Sequence, residues 1–138
     1  MNDLSENWVL DPRLQQDTKP VKELEISSVR LMNDQRWPWL ILVPRIANAE
    51  EFFDLRAGHR DGAMNEAAIV GQKLQTITSC EKINIAMIGN MVRQLHIHVV
   101  ARNSGDANWP GPIWGYGKAQ AYSDDHAVAL VAHLKAIL

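Results

Sequence analysis

One cysteine, Cys80, leaves no partner for an internal disulfide and fits a reducing compartment. No apolar run reaches the length of a membrane-spanning helix. The opening Met1-Asn2-Asp3-Leu4-Ser5-Glu6 lacks the basic-then-apolar form of a secretory leader, so a cytoplasmic protein with no membrane partner is expected. Neither sign of charge dominates: the formal net charge is -2, which argues against generic nucleic-acid or anionic-membrane binding while allowing a local basic pocket. Repeats, low-complexity tracts and interdomain linkers are all missing. A length of 138 residues with 46% hydrophobic content suits one domain over 1–138 with a real core.

Residues 1–24 are polar and marked by Pro12 and Pro20, and they read as an irregular lead-in anchored by Trp8 and Val9. Glu25 to Met32 alternates as a strand and turns at Asn33-Asp34-Gln35-Arg36. Trp39-Leu40-Ile41-Leu42-Val43 is a continuous apolar run closed by Pro44, the pattern of a strand buried on both faces, and the two strands should form a hairpin. Asn48 with Glu51 three residues on suggests a capped helix running to Leu55 or Arg56 and stopped by Gly58.

From Asp61 to Cys80, Ala67, Val70, Leu74 and Ile77 recur at helical spacing, a stripe to lay across a sheet. Gly71 within it lowers helix propensity but permits close approach to that sheet. Cys80 reads as a buried, unreactive thiol at the helix end. Lys82 to Ala86 begins another strand. Residues 103–117, rich in Gly, Pro and Trp, exclude regular structure. Ser123 caps a last helix whose stripe is Ala127, Leu130, Val131, Leu134 and Leu138. The sum is an α+β chain with a mostly antiparallel sheet of about five strands, a long helix and a C-terminal helix.

Chemistry concentrates in Gln94-Leu95-His96-Ile97-His98-Val99-Val100. Its period of two sends Leu95, Ile97 and Val99 to a core and Gln94, His96 and His98 to the other face. Two imidazoles would then stand about 6.6 Å apart along the strand. Three readings compete. The histidines are merely half-exposed strand residues; or they bind a metal; or one of them attacks phosphorus. A zinc site wants a third ligand, and His59, His126 and His133 show no spacing that supplies one, which weakens the metal reading. A neutral imidazole is nucleophilic near neutral pH and forms a phospho-imidazole that water can break. The second histidine would bind or protonate the phosphate and leaving group, and Gly89 and Asn90 would offer amide donors.

The same stretch resembles the histidine triad (HIT) signature, His-x-His-x-His followed by apolar residues, and the likeness extends over most of the chain beyond residue 25. Leu31-Met32-Asn33-Asp34 and Trp39 to Arg45 are similar to the family's ribose-binding strand and its strand ending in Val/Ile-Pro. Asn84 and then Gly89-Asn90-Met91-Val92 resemble the phosphate-clasping loop. The resemblance implies a HIT-like fold, a two-fold homodimer and a nucleotide substrate, with no cofactor and no metal. It places the nucleophile at His96, a phosphate contact at His98 and a ribose contact at Asn33. Asn84, Gly89, Asn90 and the backbone of Met91 fall at phosphate-holding positions. Gln94 stands where the first histidine belongs. If that position only orients its neighbours, activity is kept; if its protonation matters, the protein is slow or only binds nucleotide. A bacterial-type branch carrying Gln-Leu-His-x-His and a Trp-Pro-rich tail is the one the chain resembles.

Two pairings compete for residues 83–96. A two-residue turn at Gly89-Asn90 would set Ile83 opposite His96 and Ile85 opposite Gln94. The family pattern instead ends the strand near Asn84 and makes 85–92 a loop, which is the expectation here because it gives Asn84 a role. Trp109 and Trp114 either pin the long loop, stack on a base or reach a partner, and Trp37 is a further candidate to border a base pocket. The implied activity is hydrolysis or transfer of nucleotidyl groups at phosphoanhydride or phosphoramidate bonds, of the diadenosine polyphosphate or nucleoside phosphoramidate type. The alternative is a non-catalytic nucleotide-binding or regulatory module.

Overall fold

The computed structural model describes residues 6–138, so the Met1–Ser5 stretch behind the leader reading lies outside the described residues. Five strands form one antiparallel sheet: β1 (Thr18–Glu23), β2 (Ser27–Met32), β3 (Trp39–Pro44), β4 (Lys82–Ala86) and β5 (Ile97–Arg102), in the order β1-β2-β3-β5-β4. Three helices accompany it: α1 (Pro12–Asp17), α2 (Ala57–Thr78) and α3 (Asp124–Ile137). This is the expected α+β arrangement. Among the described residues, no helix is long and apolar enough to cross a membrane.

The apolar run of β3 explains the centre of the sheet. Leu40, Ile41, Leu42 and Val43 all have 0% exposure, because β2 and β5 flank the strand and both of its faces are covered. Leu40 and Leu42 join Val29, Leu31, Ile97 and Val99 under α2 and α3. Ile41 and Val43 face the opposite way and pack with Leu14, Trp8 and Leu10 of the amino-terminal segment.

That second cover corrects the reading of residues 1–24 as irregular. Pro12 opens α1 at a position where its missing N–H costs nothing, and the Asp11 carboxylate caps the helix by accepting from the Arg13 N–H at 2.8 Å. Pro20 sits on the outer strand β1, at a bulge where no ladder bond is required of it. Trp8 packs inward as expected, whereas Val9 is exposed.

A second correction concerns residues 48–58. Asn48 is left-handed (φ 63°) and caps no helix. The Asp54 carboxylate accepts from the N–H groups of Glu50 and Glu51, and that local closure yields a single 3-10 turn, Phe52–Asp54, capped by Glu51. Gly58 lies within the first turn of α2 and does not stop a helix. At Gly71 the expected close approach is present: a Cβ there would stand 3.4 Å from Ile83 Cγ2 and 3.7 Å from Val99 Cγ1, so α2 lies directly on β4 and β5. Ser79 ends α2 in the left-handed region, and Cys80 beyond it is buried. Ser123 Oγ accepts from the His126 N–H at the start of α3, and Ala127 and Leu134 are buried along its stripe.

Candidate active site

β5 begins at Ile97, so Gln94, Leu95 and His96 form the approach to the strand and not its body. The Leu95 N–H donates to Ala49 O at 2.9 Å, which fixes this approach against the 47–50 loop. The alternation holds. Leu95, Ile97, Val99 and Ala101 lie in the core under the helices, while the rings of His96 and His98 meet on the other face, 4.8 Å apart and inclined by 70°. Ladder partners of His98 are Ile41 on β3 and Ala86 on β4. Residues 87–96 are a loop, so the two-residue hairpin is excluded; β4 runs two residues past Asn84.

Neither histidine is half-exposed: His96 and His98 show 6% and 4% exposure. Their hydrogen bonds fix which nitrogen carries a proton. His96 Nδ1 lies 2.7 Å from the carbonyl oxygen of Gln94, which can only accept, so Nδ1 bears the proton and Nε2 keeps its lone pair in the neutral ring. At His98 the order is reversed. The Trp39 indole N–H donates to His98 Nδ1 at 3.0 Å, so the proton of the neutral ring is on Nε2. One nitrogen of the pair is thus a base and nucleophile, and its neighbour offers an N–H donor.

Burial lowers the pKa of His96, opposed by the Gln94 carbonyl and by the charge of Asp11. His98 is pushed down to about 3, first by burial and then by the adjacent His96. Trp39 and Trp114 wall the second ring, with centroids 5.6 and 5.2 Å away.

The side chain of Gln94 is turned to a different task. Its Oε1 accepts from the Asp11 N–H and its Nε2 donates to Val9 O, both at 2.8 Å. A single amide thereby holds the amino-terminal segment against the site, while the hydrogen bond to His96 comes from the Gln94 main chain.

Gly89 curls over His96. Its φ is +61°, and a Cβ there would lie 3.1 Å from Val92 O and 3.9 Å from His96 Cε1. Gly89, Gln94 and His96 border a cavity of about 190 Å³ together with Phe52, Ile88 and Arg93. Asn33 borders another, of about 430 Å³, with Asp34, Arg36, Trp39, Ile113 and Tyr116; its own Oδ1 accepts from the Tyr122 N–H at 3.0 Å. Asn84 is placed differently: its Oδ1 accepts from Arg102 Nη1 at 3.3 Å. Asn90 is exposed, and so is Met91, whose carbonyl accepts from Arg13 Nη1 at 3.2 Å.

Three contributors escaped the sequence reading. Trp39 passed for a core residue, since its partnership with His98 depends on β3 pairing with β5. Arg102, 1% exposed, grips the Asp106 carboxylate at 2.8 and 2.9 Å and Gly111 O at 2.9 Å, and so secures the loop beyond β5. Asp34 pairs with Arg36 at 2.7 Å beside the larger cavity. These acidic-basic pairs, two and four residues apart, were visible as charges, but their burial was not. Trp109 lies against the Arg102 guanidinium and Trp114 against Trp37, Val100 and Ile113, so both pin the long loop, and Trp114 also bounds the site. Among the described residues, no three His, Cys, Asp or Glu side chains group in a way that could hold a metal ion.

Solved structures share this fold. A histidine triad (HIT) protein of Sinorhizobium meliloti 1021 is 45% identical, with a TM-score of 0.93 over 96% of this chain and 98% of its own. A histidine triad protein of Bradyrhizobium japonicum is 39% identical (TM-score 0.91; 94% and 97% covered). One from Marinobacter aquaeolei VT8 is 35% identical (TM-score 0.93; 95% and 96% covered). No curated protein matches the chain. The HIT domain profile matches residues 13–105, which takes in α1 from its second residue, the whole sheet and both histidines. With the paired imidazoles at the start of β5 and near full-length likeness to these three proteins, the chain belongs to the HIT family.

Proposed function

We propose that the protein hydrolyses or transfers nucleotidyl groups through a nucleotidyl-histidine on His96. Membership of the family suggests nucleotide binding or nucleotide hydrolase or transferase activity. The observation that carries the finer reading is the tautomer of His96, whose Nδ1–H is held by the Gln94 carbonyl so that Nε2 presents a lone pair. His98 Nε2–H would donate to a phosphate oxygen, and Gly89 gives the phosphate room beside the nucleophile. Asn33, Trp39 and Tyr116 would receive the nucleoside in the larger cavity. The orienting group at position 94 is main chain, which supports the view that a Gln-Leu-His-x-His branch keeps its chemistry without a first histidine. Neither metal nor cofactor enters this reaction, whose substrates would be phosphoanhydrides of the diadenosine polyphosphate type or nucleoside phosphoramidates.

Rapid denaturation without acid after mixing with a radiolabelled nucleotide substrate should leave label on the wild type and none on His96→Ala. Equal turnover by the two proteins would put the chemistry elsewhere. The burial of His96 at 6% exposure favours a second reading, a regulatory module that binds nucleotide without turning it over. Nucleotide binding with no turnover of any phosphoanhydride or phosphoramidate would select it. Asn90 and Met91 are proposed as phosphate contacts through movement of the loop, and Asn84, on β4, only on release from Arg102. A cytoplasmic homodimer is proposed as the working form. The outer strand β4 ends in a loop, and Ile85, Met87 and Ile88 there are exposed. Sedimentation should show two copies, and a monomer at micromolar concentration would refute the dimer.

A further inference from the structure

Among the described residues, the groups that face the reacting position include no acid fit for the leaving group. Trp39 decides this for His98. An indole nitrogen has no lone pair to offer, so the 3.0 Å contact exists only while His98 Nδ1 is unprotonated. Protonating it would set two N–H groups against each other. The ring is 4% exposed and lies among Trp39, Trp114 and His96, with Ile41 and Ala86 opposite it on the flanking strands. None of these is an anion that could hold an imidazolium. Gln94 does not titrate and is engaged by Val9 and Asp11. The Asp11 carboxylate is paired with Arg13 at 3.1 Å, Glu50 stands 3.9 Å from Arg93, and the Glu51 carboxylate, which borders the cavity at His96, accepts from the Asp54 N–H.

We propose that Trp39 makes the site selective for phosphoanhydrides over phosphoramidates of alkylamines, by holding His98 as a neutral hydrogen-bond donor that is no proton source. The inference rests on His96 being the nucleophile. His96 Nε2 forms a bond to the α-phosphorus while the bond to the bridging atom breaks, and the electron pair leaves on that atom. The Nδ1 proton stays on the ring, shared with the Gln94 carbonyl. With an anhydride the pair departs on a phosphate oxygen, a stable anion that needs no proton. An alkylamine nitrogen cannot leave as an anion and must first take a proton from solvent. Water then attacks phosphorus, the N–P pair returns to Nε2, and the surplus proton passes to solvent. Positioned acids contribute roughly 10²- to 10⁴-fold to such steps, so a preference of about 10²-fold or more in kcat/KM is expected for the anhydride. Trp39 is here a positioning residue.

The test compares diadenosine triphosphate with an alkylamine adenosine 5′-phosphoramidate, on wild type and on Trp39→Phe, which keeps a ring and removes the N–H. Wild type should prefer the anhydride by about 10²-fold or more. In Trp39→Phe the preference should shrink by roughly tenfold, with a new titrating limb for the amine substrate alone, lying below the ordinary imidazole pKa of about 6.5 because burial still acts on the ring. Parallel loss on both substrates in the variant, or equal turnover of both by wild type, overturns the selectivity and leaves His96 as nucleophile. No turnover of either, with no label on His96, removes the nucleophile reading and the selectivity with it. If the variant fails to fold, ¹⁵N imidazole spectra of the wild-type chain decide. His98 should keep a bare Nδ1 and a protonated Nε2 from about pH 5 to 8, and titration near pH 6.5 overturns the proposal.

Discussion

In Gln94→Ala the carbonyl that orients His96 stays in place, while the amide that clamps Val9 and Asp11 is removed. The two roles of this residue can therefore be measured apart. Each lost hydrogen bond is neutral and contributes about 0.5–1.5 kcal/mol, and the one to Val9 O is exposed, so the sum is about 1–2 kcal/mol. For a chain of this size that lowers the melting temperature by roughly 3–8 °C. The loss should concentrate in the amino-terminal segment. Trp8, Leu10 and Leu14, which cover Ile41 and Val43, should then be cut faster by a protease than in the wild type. The chemical step should fall by less than about tenfold, since nothing in contact with the reacting nitrogen is altered. Single-turnover formation of the nucleotidyl-histidine, thermal melts and timed proteolysis read the three quantities. A loss of about 10²-fold or more in the chemical step, with melting and proteolysis unchanged, would refute the assignment and make the Gln94 side chain part of the chemistry. Gln94→His should likewise keep the chemical step and loosen the segment.

Two further outcomes concern acid. His98 has its pKa pushed down to about 3 in the folded protein, against about 6.5 unfolded, so the unfolded chain binds the extra proton first. Stability should therefore rise with pH between about 3 and 6.5 and flatten above, and urea unfolding of His98→Asn should show a shallower slope across that window. At Asp34 burial acts to raise the pKa, but the Arg36 side chain and N–H and the Gln120 N–H together hold it below the usual carboxylate range. Its stabilisation is then present above about pH 4 and lost as pH falls further; Asp34→Asn should be less stable than wild type at neutral pH and converge with it in strong acid. Parallel curves for variant and wild type would remove Asp34 from the acid response.

The sequence showed those features that a single element decides. Alternation over Leu95, Ile97 and Val99 fixed the core side of β5, and the unbroken apolar run at 39–43 told of a strand covered on both faces. It did not say what covers the second face, because α1 and β1 are framed by prolines whose tolerance depends on position. Pro12 is harmless only as the first residue of α1, and Pro20 only on an outer strand. Asn48 and Glu51 made a plausible helix start, yet Asp54 took the N–H groups that such a helix would use. Of the candidate site residues, His96, His98, Gly89 and the main chain of Gln94 lie together, whereas Asn84 answers to Arg102. The contact between Trp39 and His98 spans 59 residues and exists only because β3 pairs with β5. No local pattern carries that pairing.

The same cover that hid from the sequence sets the chemistry of the pair. Trp8, Leu10 and Leu14 close the sheet on one side of the histidines, and the 103–117 loop with Trp114 closes it on the other. Sealed between them, an imidazolium at His96 would lose more solvation than the charge of Asp11 returns, and one at His98 would lose it with no carboxylate to return any, so burial favours the neutral form of both rings. Neutral rings have one donor and one acceptor each, and two neighbours then suffice to fix both tautomers: a main-chain carbonyl at His96 and an indole at His98. Neither neighbour can itself change protonation state near neutrality. Both tautomers are thus set by groups that do not titrate, which is why a glutamine at position 94 is compatible with the arrangement. A first histidine would have to act through its side chain to be missed, and here that side chain points to Val9 and Asp11.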